Sequence, residues 1–283
     1  MTNRLSIYTN AYGPGGVREA VACAREDGLD LVELAMKPHD HGGLVIPEAA
    51  VVNETTDLEQ VDAFLASLER LGVGVSACNV GGGDLRTAEG LDTTIGRMHL
   101  ARVWFGVGVV VANAGTPADA GERAAVVANL QALGRHAEAL GVTVALETHR
   151  GPTQDAGAML DLIGAVDRPR IRLNFDTGNL LYYNRGPDLL AELRRVARWV
   201  ANVHLKDSRG GFEEWYFPAL GDGGAVDFAG VRAVLRQADY RGAYAIEIEG
   251  IGGEAEPGID ARRERVRRSV AHLRACGYLV GSA

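Results

Sequence analysis

Short apolar runs of strand length recur along this chain, and each is followed by a stretch with apolar residues three and four apart. Period two marks a strand and period 3.6 a helix, so the alternation can be read directly. Strands are predicted over 4–10 (RLSIYTN), 29–36 (LDLVELAM), 74–80 (GVSACNV) and 107–114 (VGVVVANA). Four more are predicted over 142–148 (VTVALET), 171–177 (IRLNFDT), 200–207 (VANVHLKD) and 242–249 (GAYAIEIE). Helical patterns fall between them, for example 58–71, 122–140 and 228–239, and a last helix over 260–276 closes the series. Gly72, Gly141 and Gly242 stand where helices should stop. Eight strand–helix units predict a (β/α)8 TIM barrel, class α/β, as a single domain over 1–283. A doubly wound sheet is the rival. No dinucleotide fingerprint supports it, because "YGPGGVREA" lacks the glycine spacing and reads as a strand-to-helix turn.

The last four strands share one grammar. Val142, Val144 and Leu146 oppose Thr143, Ala145, Glu147 and His149. Ile171, Leu173 and Phe175 oppose Arg172, Asn174 and Asp176. Ala201, Val203 and Leu205 oppose Asn202, His204 and Lys206, and Tyr244, Ile246 and Ile248 oppose Ala243, Ala245, Glu247 and Glu249. Each apolar face suits packing on helices. Each polar face ends in an ionisable group at the C-terminal end of its strand, the end that carries active sites in such barrels. Glu147, Asp176, His204 and Glu247 are therefore expected to meet at the mouth. Buried carboxylates repel unless a cation holds them. Three carboxylates and one imidazole favour a hard divalent ion, Mn²⁺ first, with Mg²⁺, Co²⁺ or Zn²⁺ as alternatives. Glu249 shares the face of Glu247 and is the competing ligand.

Composition narrows the function classes. The 283 residues carry 47% hydrophobic side chains, enough for a sizeable core, and a net charge of −8. No apolar run approaches the roughly 20 residues of a membrane span, and the N-terminus does not read as a secretory signal. The basic run "ARRERVRRSV" reads as a solvated helix face rather than a nucleic-acid patch. Cys23, Cys78 and Cys276 lack metal-knuckle spacing and read as reduced thiols, so a cytoplasmic protein without nucleic-acid or membrane partners is expected.

On "GLDLVEL", "VALETH", "NFDTGN", "VHLKD", "PALGDGGAVDF" and "YAIEIE", in this order and spacing, the chain resembles the xylose-isomerase-like TIM-barrel superfamily of sugar isomerases and epimerases. The resemblance covers nearly the whole chain. It implies Glu147, Asp176, His204 and Glu247 as ligands of a divalent metal, often Mn²⁺, and a dimer or tetramer. It also implies chemistry in which a metal-bound ketose loses and regains a proton through an enediolate, with Glu147 and Glu247 as the acid/base pair. The chain departs from ketose 3-epimerases of this group at three places. Asn179 stands where they tend to carry a His, Gly210 where they carry an Arg, and Thr153 where they carry a substrate-binding Glu. His149 would instead suit a lyase that eliminates water or an aglycone from an oxidised sugar or cyclitol, as inosose dehydratases of the superfamily do.

Other residues carry weaker expectations. Lys206, Glu33, Asn179 and Trp215 are candidate substrate-binding residues of a carbohydrate or cyclitol site. Glu33 could equally orient a neighbour, and Lys206 could pair with a mouth carboxylate. Asp207 is expected to support its loop. Trp215, Tyr216 and Phe217 suggest a lid or stacking platform, and His39 and His41 a loop segment. "GDGG" lacks the Lys-Ser/Thr of a phosphate loop. DNA repair of the endonuclease IV type needs extra histidines on early strands, where Asn79 and Asn113 stand instead. A non-catalytic barrel is the remaining alternative.

Overall fold

A computed structural model describes residues 4–36, 52–81 and 83–279. Eight parallel strands close into a barrel: β1 (Leu5–Tyr8), β2 (Leu31–Ala35), β3 (Gly74–Asn79), β4 (Val109–Ala112), β5 (Thr143–Glu147), β6 (Ile171–Asp176), β7 (Val200–Leu205) and β9 (Tyr244–Ile246). β9 pairs with both β7 and β1, which seals the ring. The helices are α1 (Gly16–Cys23), α2 (Leu58–Leu71), α3 (Ala88–Phe105), α4 (Ala120–Leu140), α5 (Ala156–Val166), α6 (Thr177–Tyr183), α7 (Leu189–Val196), α8 (Phe228–Gln237) and α9 (Ile259–Ala275). All eight expected strands form, and the chain is a (β/α)8 barrel.

The strands are shorter than the apolar runs that announced them. The last residues of each run leave the ladder to build the mouth, so Lys206, Glu247 and Glu249 lie just beyond strand ends. Alternation holds as read. Val144, Leu146, Leu173, Phe175, Val203, Leu205, Tyr244 and Ile246 are buried in the apolar core. The barrel interior takes the other face, with Ser6 and Ser76 hydrogen-bonded across it at 2.7 Å.

Aspartates start most of the helices. Asp57, Asp119, Asp155, Asp176, Asp188 and Asp227 each accept a bond from an amide in the first turn, which satisfies an otherwise orphaned donor. Gly72 and Gly141 end α2 and α4 in the left-handed conformation, as expected. Gly242 does not cap α8. The left-handed residue after that helix is Asp239, at φ 58°, and a Cβ on Gly242 would lie 2.8 Å from the Ala201 carbonyl. Close backbone approach, rather than a helix stop, requires glycine there.

One element had no counterpart in the sequence reading. β8 (Tyr216–Phe217) pairs antiparallel with β10 (Gly250–Ile251) and ties the β7–α8 loop to the segment after β9. The arginines of α9 serve the fold: Arg262 pairs with Glu256, Arg263 and Arg267 with Asp27, Arg265 with Glu254, and Arg268 with Asp222. No described helix is long and apolar enough to cross a membrane. His39 and His41 lie outside the described residues.

Candidate metal centre

Four neighbouring strand ends converge at the mouth. Glu147 is the last residue of β5 and Asp176 the last of β6. Parallel pairing sets Asp176 beside His204 of β7, and His204 beside Ala245, two residues before Glu247. The Glu247 amide donates to the Leu205 carbonyl at 3.0 Å, so it is still held by the neighbouring strand. Glu147, Asp176, His204 and Glu247 can each offer one ligand atom such that all four atoms lie within 4.8 Å of one another. His204 Nδ1 stands 2.9 Å from Glu247 Oε2, 3.5 Å from Glu147 Oε1 and 3.8 Å from Asp176 Oδ2.

The way these groups are satisfied shows what the cluster fits. Asp176 Oδ1 accepts the Asn179 amide at 2.8 Å, His204 Nε2 bonds Glu33 at 2.8 Å, and Glu247 Oε1 accepts from Asn10 Nδ2 at 3.1 Å. The other polar atom of each, Asp176 Oδ2, His204 Nδ1 and Glu247 Oε2, is buried without a hydrogen bond, although the Lys206 ammonium lies 3.2 Å from the Asp176 oxygen and 3.3 Å from the Glu247 oxygen. Nδ1 and Glu247 Oε2 are close enough for a bond but lack its angles. A buried polar atom without a hydrogen bond is costly, and three such atoms gathered with Glu147 fit a site for a shared cation, with Lys206 holding part of that charge. Asp176 is thus divided in its labour: one oxygen caps α6 and the other faces the cluster.

The field at this point is strongly negative. Burial alone would lower the His204 imidazole, but the Glu33 and Glu247 carboxylates, with Asp176 and Glu147 close by, hold it well above its ordinary value. A site that favours imidazolium this strongly favours a divalent cation for the same reason. Burial would raise Glu247, yet Lys206 and His204 pull it well below the carboxylate range. Asp176 goes the other way, raised by burial against the pull of Lys206.

The remaining predicted residues sit close by with distinct surroundings. Glu33 is fully buried, with one oxygen on His204 and the other accepting from Asn202 at 2.8 Å. Lys206 is 1% exposed, and its ammonium lies 2.9 Å from Glu249, 3.2 Å from Asp176 and 3.3 Å from Glu247. Asn179 uses its whole amide internally, accepting from Lys206 at 3.1 Å and donating to the Thr148 carbonyl at 3.0 Å. Glu249 lies outside the four-residue cluster. Burial pushes it up to about 7 against the pull of Lys206. His149 stands above Glu147 with Nε2 2.9 Å from the Tyr183 hydroxyl, and burial lowers its imidazole. Trp215 packs edge-on against Tyr182 and Phe217. Asp207 accepts the amides of Ser208, Gly221 and Val226 and so anchors both ends of the β7–α8 loop.

Four further neighbours complete the surroundings without having been candidates from the sequence: Tyr8, stacked on His204 with centroids 5.6 Å apart, and Asn10, Asn202 and Tyr183. Asn202 was on the inward face already assigned to its strand. The same alternation runs through "SIYTN", where Tyr8 and Asn10 share the face of Ser6. Tyr183 had no such signal, because it arrives on a helix.

The family model for the xylose isomerase-like TIM barrel matches residues 21–276. The chain belongs to that family. Among curated proteins it is similar to an inosose dehydratase of Clostridium beijerinckii, 31% identical over 136 residues, covering 42% of this chain and 45% of the relative. It is also similar to an L-ribulose 3-epimerase of a Methylomonas species, 28% identical over 256 residues, covering 85% and 81%. The chain spans about half the length of most of the curated relatives it matches. Among solved structures, a xylose isomerase domain protein from Planctomyces limnophilus superposes with a TM-score of 0.72 at 23% identity, covering 97% of this chain and 96% of the other. That likeness shows the fold.

Proposed function

We propose that this family member is a divalent-metal-dependent isomerase or epimerase of a ketose-like substrate. The observation that carries this reading is the convergence of Glu147, Asp176, His204 and Glu247 in one buried cluster, in which Asp176 Oδ2, His204 Nδ1 and Glu247 Oε2 make no hydrogen bond. Glu147, Asp176, His204 and Glu247 would hold the ion, with Mn²⁺ the first candidate for this oxygen-rich set. When bound, such an ion polarises a substrate carbonyl and acidifies the adjacent C–H. Glu147 and Glu247 are the proposed pair that removes and returns the proton. Glu147, at 9% exposure, is the most open of the four ligands and the one best able to reach a substrate. Asn10 holds one Glu247 oxygen, and the other faces His204 and Lys206. Glu33 orients His204 rather than touching substrate, since both its oxygens are engaged. Lys206 offsets carboxylate repulsion before the ion binds. Trp215, with Tyr182 and Phe217, offers an aromatic wall for a sugar or cyclitol face.

A second reading has its own support. His149 forms a part-buried pair with Tyr183 beside the carboxylate–histidine cluster, and Thr153 is committed to the Glu147 backbone, 2.6 Å from its carbonyl. An acid/base imidazole with no epimerase-type sugar-binding carboxylate suits dehydration of an inosose-type cyclitol. Incubating the Mn²⁺-loaded protein with ketoses and inososes in D₂O separates the two. Deuterium incorporation with epimerised or isomerised product is expected for the first reading, and loss of water for the second. Protein that binds one equivalent of Mn²⁺ yet exchanges no C–H in either series would defeat both.

A further inference from the structure

Tyr183 is the last residue of α6 and has no place in the inward-facing grammar of the strands. Its hydroxyl lies 2.9 Å from His149 Nε2, and the two rings meet at 4.7 Å between centroids with a 53° tilt. The phenol is itself fixed from several sides. Tyr182 meets its ring edge-on at 4.9 Å, and the Arg150 guanidinium lies 5.6 Å from its centroid. Arg150 forms an ion pair with Glu213 of the β7–α8 loop, and the Glu213 amide donates back to the Tyr182 carbonyl at 2.9 Å. The backbone of His149 is fixed separately, its amide donating to Thr153 Oγ1 at 3.2 Å. The phenol is thus an anchor of the ring, and the chain trace is held without it.

The direction of the bond follows from what each partner can do. Burial holds the Tyr183 proton on well above the ordinary phenol range, with Lys206 opposing and Glu147 and Glu249 assisting. His149 Nε2 is the hydrogen-bond partner the hydroxyl has among the described residues, so its proton points there. A ring that accepts at Nε2 carries its proton at Nδ1 when neutral.

We propose that Tyr183 is a positioning residue for His149: its hydroxyl donates to Nε2, holds the ring plane, and sets the Nδ1–H tautomer of the neutral imidazole at the mouth. The inference rests on the proton-transfer reading of the site only for its effect on turnover. The orientation itself is a property of the unliganded protein and is tested without substrate.

The test is ¹⁵N–¹H correlation spectroscopy of the histidine rings in the Mg²⁺-loaded protein at pH 8, with the His149 signal assigned by its loss in His149→Gln. Wild type is expected to show the Nδ1–H pattern at His149. Tyr183→Phe keeps the ring under Arg150 and removes only the hydroxyl. It is expected to move that signal toward the Nε2–H form that free imidazole prefers, with Mn²⁺ uptake and melting temperature little changed. Tyr183→Leu serves as the second variant and should shift the signal in the same direction. An unchanged His149 pattern in a folded Tyr183→Phe protein, or an Nε2–H pattern in wild type, overturns the proposal. Where a ketose or inosose is turned over, Tyr183→Phe should lower kcat about 10-fold with KM within about twofold. The double variant with His149→Gln should be no slower than His149→Gln alone, and a further drop would overturn the proposal as well. A silent substrate panel leaves the spectroscopic result to decide, so failure of the functional reading and failure of this one are separable.

Discussion

At the residue scale, each cluster side chain serves two neighbours, and that division makes its role testable. Glu33 sits on a strand far in sequence from the four proposed ligands, yet it is fully buried and fixes His204, the one nitrogen donor among them. An imidazole held at Nε2 by a carboxylate keeps its Nδ1 lone pair aimed and basic. Glu33→Gln preserves shape but loses the charge. Mn²⁺ affinity, read by titration, should weaken about 10–100-fold, the usual cost of losing such a partner. Unchanged affinity would show that Glu33 is not what orients His204.

At the element scale, α6 explains a glycine that its sequence leaves ambiguous. Gly178 has no left-handed φ, so conformational freedom does not demand it. A Cβ there would meet the buried stem of Lys206 at 2.6 Å from Cγ and 2.8 Å from Cδ. Helix propensity alone favours alanine by up to about 1 kcal/mol. Overpacking against a stem with no free space costs about 1–3 kcal/mol, so packing wins. Gly178→Ala should lower the melting temperature, and it should weaken Mn²⁺ binding by displacing the ammonium from Asp176 and Glu247. A more stable Gly178→Ala protein would mean that the helix can shift and that Lys206 is not wedged against it. The β8–β10 ribbon and Asp207 act at this scale too: together they carry Trp215 and Phe217 to the mouth.

At the scale of the whole molecule, the proposed ligands come from four strand ends spread over about a hundred residues, so the unfolded chain has no comparable site. An ion that binds only the folded barrel stabilises it by about 2.7 kcal/mol at 100 times its Kd. For a chain of this size that corresponds to a rise of roughly 5 °C in Tm. Mn²⁺ should produce such a rise, chelator should reverse it, and His204→Ala should abolish it. No metal-dependent shift in wild type would remove the basis for the proposed chemistry. The eight-strand beat was legible because alternation and helical spacing are local: Glu147, Asp176, His204 and Glu247 each close an apolar run, and a closed parallel barrel sends all such ends to one side. Short-range pattern thus determined the architecture and which residues face the mouth. It could not determine their partners. Whether Lys206 reaches a substrate or Glu249, whether Asn179 is open or bonded, and what holds His149 are questions of contact between segments remote in sequence. Only the folded packing decides them, because a hydrogen bond depends on a few tenths of an ångström that no spacing along the chain encodes.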